Sequence, residues 1–85
     1  MNTIHYNLVF QPEPEGGFTV TVPTLPGCIT YGKDLNEAKE MALDAIQAYI
    51  ASLRADGEEI PTDNETFTSF AEIKIKATDK ILSYA

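Results

Sequence analysis

The side chains that could do chemistry in this chain are one cysteine, one histidine and 13 carboxylates. A cysteine nucleophile needs a base and an orienting group within hydrogen-bond reach, but Cys28 and the only histidine, His5, fall in different predicted strands. We therefore interpret Cys28 as a packed residue beside a turn and His5 as an outward-facing strand residue. The pair also supplies too few ligands for a zinc site.

The carboxylates suggest a metal-dependent nuclease, which holds its ions with acids clustered on adjacent strands. No acid occurs within residues 4–10 or 18–22, however, the segments that would be central strands. The acids instead fall in a turn, on the polar side of a predicted helix and in a loop: Glu13 and Glu15; Glu37, Glu40 and Asp44; Glu58, Glu59, Asp63 and Glu65. We expect no catalytic residue, no metal and no cofactor. The acids form either a solvated surface or a patch for a basic partner.

The net charge of the chain favours a protein partner over a nucleic acid. Six Lys and Arg residues against 13 Asp and Glu give a net charge of -7 at pH 7. Nucleic-acid affinity comes from clustered Lys and Arg, so we do not expect direct nucleic-acid binding and favour a basic protein partner. A single cysteine cannot close an internal disulfide, and no apolar run approaches the roughly 20 residues that span a bilayer. We expect one small cytoplasmic domain without membrane contact.

Hydrophobic periodicity predicts the elements that position these residues. Alternating apolar residues indicate strands over residues 4–10, 18–22 and 72–76, and residues 28–31 form a short strand before the helix. Three-and-four spacing predicts a helix over residues 35–55. Asp34 and Glu37 match a capping box at its start, and Gly57 supplies the stop.

The predicted order is βββαβ, an α/β (α+β) fold. A right-handed crossover through the helix would place the fourth strand beside the first, giving a mixed four-stranded sheet of order 3-2-1-4 with one helix packed on one face. The other face would be open to a second chain. Residues 58–69 form a long polar loop, and we expect Phe67 and Phe70 to pin its far end to the core.

Three motifs taken together resemble the HicB antitoxin family: EGGFTVTVP at residues 15–23, LPGCITYG at residues 25–32 and Asn-Glu-Ala at residues 36–38. The resemblance covers roughly residues 4–60, and the run GEEIP at residues 57–61 is also similar to that family. It implies a truncated RNase H-like domain, which we assign to residues 1–77. Members of the family often carry a C-terminal DNA-binding segment, but here we expect only a short tail at residues 78–85 with no separate DNA-binding domain. We expect Gly17, Pro26, Gly27 and Gly32 to shape the scaffold.

The resemblance implies an antitoxin that binds a HicA-type toxin, a small basic mRNA interferase, and neutralises it by covering its catalytic histidine and RNA-binding surface. It also implies a homodimer or higher oligomer. The residues expected to meet the toxin are Glu37, Glu40 and Asp44 on the helix and Glu58 and Glu59 in the loop. The alternative is an orphan HicB-like module whose partner is itself or an unrelated protein. The first strand lacks the acid that RNase H-like nucleases place there, so the likeness does not imply nuclease activity.

Overall fold

Three short strands and one helix make up the regular structure in a computed structural model that describes residues 3–82. The strands are β1 (Val9–Pro12), β2 (Phe18–Thr21) and β3 (Ile29–Gly32), and the helix is α1 (Leu35–Ala55). β2 pairs antiparallel with both neighbours, so the sheet has the order β1-β2-β3. The α+β class expected from the sequence is confirmed.

Two hydrogen-bonded turns connect the strands. Residues 13–17 join β1 to β2, and the Glu13 N–H donates to the Gly17 carbonyl at 3.0 Å. Residues 22–28 join β2 to β3, and there the Cys28 N–H donates to the Leu25 carbonyl at 2.9 Å. This second turn folds inward, because Leu25 is fully buried and packs with Val22 and Ile46.

The helix has the predicted bounds and buries one stripe of its surface. Ala38, Ala42 and Ile46, spaced by four residues, are its buried positions. Two alanines allow the helix to approach the sheet closely, and Val20 of β2 packs against them with no exposed surface. The helix backbone lies near β3 and β2 but not near β1. Within residues 3–82 no helix is long and apolar enough to cross a membrane.

The first strand differs from the prediction. Regular strand structure begins at Val9 rather than at residue 4, and it extends to Pro12. The reason is that β2 ends at Thr21 and the chain then turns, so β2 does not continue opposite residues 4–8. The loop after the helix takes that place: the Asp63 N–H donates to the His5 carbonyl at 3.0 Å, and Asn64 Oδ1 accepts from the His5 N–H at 2.9 Å.

The fourth strand is absent from the described residues. Residues 72–76 are exposed and have no regular secondary structure, so the sheet is antiparallel throughout and the order 3-2-1-4 and the RNase H-like likeness are not confirmed. Period-two alternation marks which side chains share a face, but a strand also needs a neighbour with which to pair. The expectation for Phe67 and Phe70 is wrong, because they are 87% and 88% exposed.

We call residues 67–82 the arm. It is exposed along its whole length, and its one hydrogen-bonded turn is closed by the Asp79 N–H, which donates to the Lys76 carbonyl at 2.9 Å. The predicted tail at residues 78–85 falls partly within the arm. Residues 83–85, like residues 1–2 of the predicted domain, lie outside the described residues.

Candidate functional site

An acidic face runs along the exposed side of the helix. Glu37, Glu40 and Asp44 follow one another at spacings of three and four residues, which places them on one side of α1. Met41 belongs to the same face, four residues after Glu37 and three before Asp44, and is 42% exposed. The face therefore presents carboxylates around an apolar side chain, a combination suited to a protein partner.

Glu37 is already engaged by its own chain. Asp34 has extended backbone angles and accepts from the Glu37 N–H at 2.8 Å, as the capping box predicts. Glu37 Oε1 in turn accepts from the Lys33 N–H at 2.9 Å, and its other oxygen lies 3.9 Å from Lys33 Nζ. Glu40 and Asp44 are exposed and make no side-chain hydrogen bond or ion pair within residues 3–82. They are the carboxylates on this face that a partner could use.

The second predicted pair of acids lies beyond the helix end. The Gly57 N–H donates to the Arg54 carbonyl at 3.1 Å and the Glu58 N–H to the Leu53 carbonyl at 2.9 Å, which closes the helix. The side chains of Glu58 and Glu59 are exposed. Asp44 is about 16 Å from the end of the helix at 1.5 Å per residue. The structure thus places the two acid sets at separate positions, one along the helix and one beyond its end, rather than in one cluster.

The four predicted scaffold residues lie at turns and at one close contact. Gly17 has φ +80°, and a Cβ there would lie 2.7 Å from the Gly32 carbonyl oxygen and overlap the Tyr31 hydroxyl. A Cβ on Gly32 would overlap the backbone of Ala38, so this glycine lets the helix start against β3. Gly27 has φ +82°. The Pro26 carbonyl accepts from the Tyr49 hydroxyl at 2.9 Å, which ties the second turn to the helix.

Asp63 is a residue whose role the sequence reading missed. It is 3% exposed, and its carboxylate accepts from the Asn7 N–H at 2.8 Å and from the Thr24 hydroxyl. The Thr24 and Asn7 hydrogen bonds, helped by the charge of His5, hold the pKa of Asp63 below its ordinary value. The Thr66 N–H donates to the Asp63 carbonyl at 2.9 Å and closes a turn, as the turn-forming pair Asp63-Asn64 favours. That pair was the available signal in the sequence.

Cys28 and His5 are not brought together as a nucleophile and its base. Cys28 is buried in the core with Val22, Leu25 and Ile46, and burial raises the pKa of its thiol. A raised pKa leaves less thiolate at neutral pH, so the thiol is poorly nucleophilic. His5 is exposed in the segment before β1. No group of three or more His, Cys, Asp or Glu residues is placed to hold a metal ion in the part of the chain that the structure describes.

An open apolar groove of about 410 Å³ separates the segment before β1 from the helix. The apolar residues that line it come from both sides: Ile4, Tyr6, Leu8, Leu43, Ile46 and Ile50. The sheet does not close this groove because the helix lies over β2 and β3 and no strand flanks β1 on its outer side in residues 3–82. It is a second candidate interaction surface, of a chemistry different from that of the acidic face.

Comparison with known proteins assigns the family. A family model described as the HicB-like antitoxin of bacterial toxin–antitoxin systems matches residues 6–79, a stretch that contains the three strands, the helix and most of the arm. The chain belongs to the HicB-like antitoxin family. The expectation drawn from the sequence motifs is thereby confirmed.

Relatives of this HicB-like chain include short proteins and longer antitoxins. The UPF0150 protein of Thermoplasma acidophilum is 44% identical over 59 residues, which are 69% of this chain and 86% of that protein. Antitoxin HicB 1 of Photorhabdus laumondii is 29% identical over 82 residues, 96% of this chain and 53% of that antitoxin. Antitoxin HicB of Escherichia coli K12 is 30% identical over 81 residues, 93% of this chain and 59% of that antitoxin. This chain therefore spans a little over half the length of the two named antitoxins.

Proposed function

We propose that this chain is a non-enzymatic antitoxin of the cytoplasm that binds a small basic HicA-type mRNA interferase and blocks it sterically. The observation that carries the proposal is the exposed acidic face of α1, with Glu40 and Asp44 unpaired within residues 3–82, on a member of the HicB-like antitoxin family. A net charge of -7 supports a basic partner in the same way.

The exposed acidic face of α1 determines the mode of inhibition that we propose. The acidic face of α1 would seat on the basic surface with which such a toxin holds RNA, so that RNA is excluded without any reaction at the antitoxin. Glu40, Asp44 and the central Met41 would form the contact, and Glu58 and Glu59 would meet a more distant part of the toxin. Complementary charge mainly accelerates association, whereas desolvated contacts around the apolar centre slow dissociation.

The test is a pair of matched charge reversals. Glu40→Lys/Asp44→Lys reverses the acidic face, and Glu15→Lys/Glu65→Lys makes the same change in net charge at exposed acids elsewhere. Association with a HicA-type toxin, followed by stopped-flow fluorescence at several salt concentrations, should slow about tenfold or more at low salt for the first pair. The slope of the rate against salt should also fall. Equal effects from both pairs would remove the acidic face from the proposal.

A second reading, the orphan homo-oligomeric module, is favoured by a specific observation. The arm exposes large apolar side chains while the groove between the N-terminal segment and α1 stays open. Association of copies through these features would complete the 3-2-1-4 strand order and the RNase H-like layer. A purified chain that self-associates but fails to protect RNA from any HicA-type toxin would favour this module over the antitoxin.

A further inference from the structure

The arm is an apolar segment that packs on nothing else among the described residues. Phe70 is 88% exposed and Ile73 is 77% exposed, and every other large apolar side chain of residues 67–82 is at least half exposed. Isolated apolar residues on a surface need no explanation, but six exposed ones within residues 67–82 mark an interaction site. Alternation also puts Ile73 and Ile75 on one side and Glu72, Lys74 and Lys76 on the other, the pattern of a strand with one buried face.

The arm also stands away from the rest of the chain. The radius of gyration is 16.1 Å and the longest extent is 53 Å, whereas a compact domain of this length has a radius of gyration of about 12 Å. Residues 63–66 are tied to the segment before β1 through Asp63 and Asn64, so the departure begins after this anchor. The arm therefore extends outward from residues 63–66, which are anchored to the rest of the domain.

The edge of β1 and the segment before it form a receiving surface of matching type. The backbone groups of His5 and Asn7 point to Asp63 and Asn64. Strand alternation directs those of Tyr6 and Leu8 to the opposite edge, where neither N–H has a partner among residues 3–82. An unpaired edge of this kind accepts an added strand. The apolar groove lies directly beneath it, between Tyr6 and Leu8 on one side and Leu43, Ile46 and Ile50 on the other.

We propose that the arm of one copy of this chain lies along this edge of a second copy as its missing fourth strand. Ile73 and Ile75 fill the groove against Leu43, Ile46 and Ile50, and Lys74 and Lys76 remain in solvent. The exchange is reciprocal, because each copy carries both an arm and a groove, and a two-fold axis satisfies both at once. The dimer would therefore form by strand exchange rather than by packing of two finished surfaces.

Charge is compatible with a second copy as the occupant. The arm has a net charge of +1, from Lys74, Lys76 and Lys80 against Glu72 and Asp79. The net charge of the whole chain is -7, so the rest of the chain carries -8. The body as a whole therefore attracts the arm. The groove itself is lined by His5 and Lys39 and by no acid, so Lys74 and Lys76 must point away from it into solvent. The inference rests on the arm and the groove and does not depend on the proposed toxin binding.

Cysteine cross-linking distinguishes exchange from an arm that folds back on its own groove. Leu43→Cys and Ile75→Cys are made in separate full-length chains that differ in mass, mixed, refolded together and treated with a short bismaleimide. Exchange predicts a cross-linked species that contains one chain of each kind, and Lys74→Cys in place of Ile75→Cys should give much less. Cys28 is buried, so the unsubstituted chain supplies the background. A mixture without that species, together with an internal cross-link in the double variant Leu43→Cys/Ile75→Cys, would overturn the proposal.

A second experiment tests the same contact without cross-linking. Sedimentation of the unsubstituted chain should show a dimer, and Ile73→Asp/Ile75→Asp should shift it to a monomer with unchanged helix content by circular dichroism. The control Glu72→Lys/Lys74→Glu alters the outward side only and should stay dimeric. A monomeric unsubstituted chain, or a dimer that persists in the Asp variant, contradicts strand exchange. Toxin inhibition is measured in parallel, so a monomer that still inhibits leaves the proposed function standing.

Discussion

The carboxylate of Asp63 accepts a hydrogen bond of 2.8 Å from the backbone N–H of Asn7, across 56 positions of sequence. The same carboxylate accepts from the Thr24 hydroxyl. One buried acid therefore joins the segment before β1, the turn between β2 and β3 and the loop after the helix. The position of the arm depends on this junction, because the arm leaves the body only a few residues further on.

Ionisation of Asp63 should make folding stability depend on pH. The hydrogen bonds from Thr24 and Asn7 lower the pKa of Asp63 in the folded state, while the unfolded chain has the ordinary value of about 3.9. The stabilisation is therefore fully present above about pH 4 and is lost as the pH falls through the folded-state value. We expect the free energy of unfolding of the unsubstituted chain to exceed that of Asp63→Asn most near neutral pH, and this difference to shrink below about pH 4.

Urea unfolding of both chains at constant ionic strength over that pH range measures the difference. Glu65→Gln removes an exposed carboxylate two residues away and should change the free energy of unfolding by much less. A difference for Asp63→Asn that stays constant from neutral to acid pH would contradict the assigned role.

The helix and the β2–β3 hairpin could be predicted from the sequence because their signals are local. The three-four spacing of Ala38, Ala42 and Ile46 defines the buried side of α1, and Asp34 marks its start. Asp63 could not be separated from Glu58, Glu59 and Glu65 in the same way. Its burial comes from contacts with Asn7 and Thr24, which no local pattern encodes.

The first and fourth strands show the other limit of sequence patterns. Alternation identified the residues that share a face in residues 4–10 and 72–76, and Tyr6 and Leu8 do pack on the core. It did not identify what lies beside them: the loop after the helix in the first case, and no neighbour within residues 3–82 in the second. Strand pairing is a property of two segments, and the partner can belong to another chain.

Substitution of Gly32 tests how closely the helix starts against β3. A Cβ at this position would lie 2.7 Å from the Glu37 carbonyl carbon and nearer still to the Ala38 backbone. Gly32→Ala should therefore lower the free energy of unfolding by about 1–3 kcal/mol through overpacking. Gly57→Ala is the control, since Gly57 has φ +68° but open space around it, and should cost about 1 kcal/mol. Denaturant unfolding measures both variants. A smaller loss of stability for Gly32→Ala than for Gly57→Ala would contradict the close contact.

The helix cap provides a prediction at the start of the acidic face. Asp34 accepts from the Glu37 N–H, so Asp34→Ala leaves that donor without its partner and should lower the free energy of unfolding by about 1 kcal/mol. Asn36→Ala, two residues later at an exposed position, should change it by less than about 0.5 kcal/mol. Thermal unfolding followed by circular dichroism measures the loss of helix in both variants. Equal effects would mean that the cap adds nothing to the fold.

The core and the arm should respond differently to protein concentration. Leu25 is fully buried within one chain, so Leu25→Ala should cost about 2–5 kcal/mol at every concentration. Ile75 is 52% exposed in the single chain, and the proposed exchange with a second copy would bury it further. Ile75→Ala should therefore have little effect on the melting temperature in dilute solution and an increasing effect as the concentration rises, because association stabilises the folded state by mass action. Melting curves of the two variants are compared over about two decades of protein concentration. A loss for Ile75→Ala that is the same at every concentration would place Ile75 in the core of its own chain.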